Sequence, residues 1–175
     1  MTTFLVDTLP AEVVIPGSAR MVENTYLGDG STTFAPGDLV RINTSGQVVD
    51  AAVNDSTTGP IHGMVLTSAY SAVAATTSQF VPVLVFGGDT VLKMQLYAAS
   101  AGDAQPQDVA VGTELTIRNG AAGIWSVTVT TTNGIATVVQ KPGNVKWFDS
   151  DYDLDKNYGF IYVKFAQALL DVHGA

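Results

Sequence analysis

Between Phe34 and Val65 apolar residues come in short bursts cut by turn formers, in the run FAPGDLVRINTSGQVVDAAVNDSTTGPIHGMV. Pro36-Gly37-Asp38 predicts a turn, because proline presets φ and glycine accepts positive φ. Leu39 to Asn43 is then extended, with Val40 and Ile42 on one face and Leu39 and Arg41 on the other. Thr44-Ser45-Gly46 closes a tight hairpin and Gln47 to Ala52 returns. A loop beginning at Val53-Asn54-Asp55-Ser56 ends at Gly59-Pro60, and Ile61 to Leu66 opens a third strand.

The same rhythm continues. Phe80 to Phe86 is a dense apolar strand whose Pro82 belongs at its start or on an edge, since proline supplies no ladder donor. Gly87-Gly88-Asp89 turns the chain into Thr90 to Tyr97, where Leu92, Met94 and Leu96 share a face opposite Val91, Lys93, Gln95 and Tyr97. Val111 to Arg118 leads to a hairpin signal at Asn119-Gly120, then to Ile124–Thr130 with Trp125, Val127 and Val129 on one face. Asn133-Gly134 marks a further hairpin, and Ile135 to Gln140 completes a meander stopped at Pro142-Gly143. Phe160 to Phe165 is a last strand, and 166–172 either continues it or forms a helical turn or two.

Ahead of this, Met1 to Thr33 has weak periodicity and several breakers; Val13-Val14-Ile15 could be a short strand, and the whole piece reads as an extended arm. Phe4, Leu5, Val13, Val14, Ile15, Met21 and Tyr26 are too apolar for a solvated tail. The arm therefore needs a surface, either its own barrel or a neighbouring subunit. The expected fold is all-β: an antiparallel barrel or jelly-roll-like sandwich, with residues 1–33 as arm and 34–175 as a single β domain.

Composition adds one strong constraint. Only 14% of the 175 residues are charged, and the net charge is −8. Soluble domains commonly carry roughly 25% charged residues. Thr, Ser, Ala and Gly fill the positions that charge would occupy, which points to a surface partly covered by other chains, with a monomer of Thr/Ser-rich β surface as the alternative. The eight basic residues are scattered, so no stripe exists to neutralise phosphates, and neither nucleic acid nor an anionic membrane is an expected partner. There is no cysteine, which excludes disulfides and thiolate chemistry. The first residues show no basic-then-apolar signal pattern, and the chain reads as made in the cytoplasm.

Candidate chemistry is sparse. Asp149, Asp151, Asp153 and Asp155 alternate as at the start of a calcium-binding loop, but the sixth position is Leu154 and the twelfth Phe160, where glycine and glutamate are required. An acidic solvated loop is the simpler reading, with a cation as the alternative, and no metal is assigned. His62 lies in a strand and His173 near the end, without a nucleophile-elbow pattern. Gly28-Asp29-Gly30 lacks the lysine of a phosphate loop. Trp125 and Trp147 could stack on a sugar, although a tryptophan in an alternating strand more often belongs to a core or interface. No catalytic residue and no cofactor is assigned.

Pro36-Gly37-Asp38-Leu39-Val40, Ser45-Gly46, Val48-Val49-Asp50-Ala51 and Gly63-Met64-Val65 resemble the head decoration, or cement, proteins of tailed bacteriophages. Val111-Gly112-Thr113-Glu114-Leu115 fits the same pattern more loosely, and the Asp-rich tail has no counterpart in it. The resemblance implies a non-enzymatic homotrimer on the outer capsid surface of the virion. It would bind the major capsid protein and bridge capsomers against internal DNA pressure. The alternative is a carbohydrate- or receptor-binding β module of a phage appendage.

Overall fold

In the computed structural model the described residues are 11–23, 25–30, 32–51, 61–66, 80–97, 105–121, 124–128, 134–140 and 159–165. Among them the short apolar bursts form strands, and no α-helix is present. The possible helix at 166–172 lies outside the described residues.

Five strands close into a barrel: β7 (Val91–Tyr97), β11 (Phe160–Phe165), β10 (Ala136–Gln140), β8 (Glu114–Ala121) and β9 (Ile124–Thr128), in that order around the ring. Alternation fills it. Leu92, Met94, Leu96, Leu115, Ile117, Trp125, Val127, Ala136, Val138, Ile161 and Val163 are all buried inside one cluster. Each large side chain withdrawn from water contributes roughly 1.5–3 kcal/mol. Lys93, Gln95 and Tyr97 take the opposite face of β7, as the two-residue period requires. On that face Lys93 lies over the Phe160 ring at 4.5 Å and Arg118 over the Tyr97 ring at 3.7 Å.

The second sheet has the order β2 (Arg20–Val22), β6 (Val83–Val85), β5 (Gly63–Val65), β3 (Leu39–Ile42) and β4 (Val48–Asp50), antiparallel throughout. Pro82 stands immediately before β6, where its missing donor breaks no ladder bond. Both faces of this sheet are covered. Leu39 and Met64 join the barrel cluster, and Phe86 stacks on Phe165 at the end of β11, centroids 5.9 Å apart. Val40, Val48, Val65, Val83 and Val85 face the other way and form a second cluster with Phe34 and Val81.

Part of the predicted arm belongs to these sheets. β1 (Glu12–Ile15) pairs with Val91–Lys93 of β7, and β2 pairs with β6, so residues 12–22 lie on the chain's own framework. The β1–β2 and β6–β7 connections both pass from one sheet to the other, and they are bonded together. Asp89 Oδ1 accepts from Ser18 N (2.7 Å) and Ser18 Oγ (2.5 Å). The Thr90 hydroxyl donates to the Pro16 carbonyl at 2.9 Å and accepts from Gly87 N at 2.9 Å.

Three expectations change. The barrel is mixed rather than antiparallel, because β9 pairs in parallel with Gln95–Tyr97 of β7. β8, β9 and β10 do not form a simple meander: β10 takes the other edge of β8 and bridges it to β11, leaving β9 free to close the ring. Asn119-Gly120 is not the hairpin turn. Both residues remain in β8, with a register irregularity between Asn119 and Ala121, and pairing resumes at Ala121–Ile124. An Asn-Gly pair serves a bulge as well as a turn, since both need relaxed backbone geometry.

Backbone crowding at Gly63 gives a test. An added Cβ there would run into the Leu84 carbonyl oxygen and sit 2.7 Å from Val83 Cγ1. Gly63→Ala is expected to destabilise the fold by about 2 kcal/mol or more in urea unfolding. Gly46, at φ 75° with no atom near an added Cβ, provides the contrast: Gly46→Ala should cost only about 1 kcal/mol.

Candidate functional site

The sequence-selected residues do not converge. Trp125 is fully buried, and its Nε1 donates to Asp38 Oδ1 at 3.3 Å. It has no ring face open to a sugar. His62 is buried at the entry to β5, with its Nε2 2.9 Å from the Tyr26 hydroxyl and its ring edge-on to Tyr26 at 5.0 Å. Burial first, and Arg20 second, hold its pKa below the usual imidazole value, so it packs as a neutral ring. Gly28-Asp29-Gly30 is a turn closed by its own aspartate, whose carboxylate accepts from Thr32 N (2.8 Å) and Thr32 Oγ1 (2.9 Å). Trp147, His173 and the series Asp149, Asp151, Asp153 and Asp155 lie outside the described residues.

What the fold does assemble is a group of three carboxylates around the second sheet, with Asp50 toward its outer cluster, Asp29 on the adjoining loop, and Asp38 turned to the barrel, where it meets Trp125. The turn at Pro36-Gly37 places Asp38 at the foot of β3, where Oδ2 accepts from Ala35 N at 2.6 Å. Gly37 N and the Asp38 carbonyl both bond to Val65, which zips this turn onto β5. Asp50 ends β4 and stands opposite Val40, two residues beyond Asp38. Asp29 N donates to the carbonyl of Val48, two residues before Asp50, at 3.2 Å. The three acids are thus gathered by strand register and by one loop bond.

Their states differ. Asp29 and Asp38 accept N–H donors. Asp50 Oδ1 is buried and accepts no hydrogen bond. Burial above all, then the charges of Asp38 and Asp29, raise the Asp50 pKa to about 7. A carboxyl that titrates near neutrality has the acidity of a general acid or base. Here, however, it faces the apolar cluster of Val40 and Val48 instead of a nucleophile. Among the described residues no three acidic or histidine side chains have metal-binding geometry. No helix among them is long and apolar enough to cross a membrane.

Sequence reading passed over Asp50 because it looks like an ordinary polar strand end. One signal was present: Asp50 is in phase with Val48, so a carboxylate had to share the face that Val48 buries.

In comparison with known proteins, no family model, curated protein or solved structure matches the chain.

The Asp50 environment fixes a pH dependence. Its folded pKa lies above the unfolded value, so its stabilising contribution is complete below about pH 4 and is lost as pH rises toward 7. Asp50→Asn should flatten stability across that window and raise it at pH 8. The gain expected there is on the order of 1–2 kcal/mol, after discounting for the residue's partial exposure. Urea unfolding of both proteins at pH 4.5, 6 and 8 measures it. His62 acts in the opposite sense: its lowered pKa removes stability as pH falls below the ordinary imidazole range.

Proposed function

We propose that the chain is a structural β module that works by seating against copies of itself and against a larger shell, as a capsid decoration protein does. The observation that carries this reading is a charge-poor chain, 14% charged, with large apolar side chains left exposed. Met21 on β2 is 62% exposed, Val111 before β8 55% and Phe80 before β6 44%. An apolar side chain on a short edge strand is a natural contact for a second surface.

The burial of Trp125 weighs against the alternative of a carbohydrate-binding module, since that ring is occupied by the core and by Asp38. A shell-bound role asks the protein for rigid shape rather than reactive groups. The described framework suits it: two sheets share one core, and their connections are bonded at Ser18–Asp89 and Thr90–Pro16.

Two measurements test the proposal. The mass of the purified protein in solution should be that of a homotrimer, and the protein should co-sediment with bare phage capsids. A single-copy particle that stays in the supernatant contradicts it. Met21→Asp should weaken self-association or capsid binding about tenfold while leaving the unfolding midpoint nearly unchanged, since an exposed substitution costs little stability. Unaltered association would remove β2 from the contact.

A further inference from the structure

Residues 26–29 pair through their backbone with the start of β6 and with the free edge of β4. The Tyr26 carbonyl accepts from Val81 N at 2.8 Å, and Leu27 bridges Phe80. Further along, the Leu27 carbonyl accepts from Val48 N at 2.8 Å, and Asp29 N donates to the Val48 carbonyl at 3.2 Å. The segment therefore crosses from the start of β6 to β4, with Tyr26 packed on the outer cluster. At the β4 end, two bonds to a single residue, Val48, hold it beside Asp50.

We propose that this segment is a pH-sensitive strap, paired along the edge of β4 at the margin of the outer apolar cluster when Asp50 is protonated and released from β4 when Asp50 ionises. Among the described residues, the groups around Asp50 leave its charge uncompensated. Asp29 approaches from the strap and Asp38 from the foot of β3, and both are acids. Arg41, on the adjacent strand, is paired with Val49 and so projects to the opposite face. Arg20 belongs to the same cross-sheet row, Arg20–Val85–Gly63–Val40–Asp50, but at its far edge. His62 is bonded to Tyr26, at the other end of the strap.

An ionised Asp50 has a buried oxygen with no donor and a like charge on the strap itself. Moving the strap away relieves both, because water then reaches the oxygen and Asp29 withdraws. Opening uncovers Val48 and its neighbours in the outer cluster, so the chain presents more apolar surface above neutrality than below it. This inference rests on the sheet and the strap, and holds whatever the protein binds.

Amide hydrogen exchange of the full chain at pH 5.5 and pH 8, corrected for intrinsic rates, tests it. The Val48 and Asp29 amides should lose protection by about tenfold or more at pH 8 relative to amides of β7 and β11. Asp50→Asn should abolish that difference, and Asp29→Asn should reduce it. Equal relative protection at both pH values would overturn the proposal, as would an unchanged loss in Asp50→Asn. A loss spread evenly over β7 and β11 would also overturn it, since that is global unfolding. If Asp50→Asn does not fold, Asp29→Asn decides, and a loss equal to that of the unaltered chain refutes the strap.

Discussion

The hydrogen bond from Trp125 to Asp38 is the joint on which the architecture turns. Trp125 comes from β9 in the barrel, and Asp38 from the foot of β3 in the second sheet. The indole is wholly buried, and a buried N–H left without an acceptor costs about 1–3 kcal/mol. Its acceptor comes from the other sheet. Asp38 also accepts from Ala35 N and is held against β5 through its own carbonyl, so one residue fixes the turn, the sheet and the barrel contact together. Around this joint the apolar contact is continuous, from Leu39 and Met64 to Phe86 stacked on Phe165.

A sheet covered on both sides has consequences for its sequence. Its strands must be apolar on consecutive positions, as in Leu39-Val40 and Val83-Leu84-Val85. It must also be roofed on the side away from the barrel, a task that falls to Tyr26 and Phe34. Asp50 sits at the margin of that roofed face. An apolar residue there would be more stabilising, and the carboxylate makes the margin sensitive to proton concentration instead.

Much of this was legible in the chain before any coordinates. Alternation placed Leu92, Met94 and Leu96 inside and Lys93 and Gln95 opposite, because β geometry leaves no other assignment for a two-residue period. Pro82 announced the start of β6 for lack of a donor. Strand order was not legible. The insertion of β10 between β8 and β11, and the parallel seam of β9 with β7, depend on pairings between residues far apart in sequence, which no local pattern encodes. The strand at Arg20–Val22 was hidden for the same reason, since a short edge strand takes its conformation from its partner, whereas Val13-Val14-Ile15 already read as a short strand. The carboxylate group was obscured because Asp29, Asp38 and Asp50 each serve an ordinary local purpose and meet only through register and one loop bond.

The central physical claim is that barrel and second sheet are one cooperative body joined through Trp125 and Asp38. Hydrogen exchange along a urea series, read separately for amides of β3–β5 and of β8–β11, tests it most directly. The account predicts that the slowest amides of both sets open in a single transition with the same free energy. Loss of the second sheet at lower urea, with the barrel still protected, would contradict it.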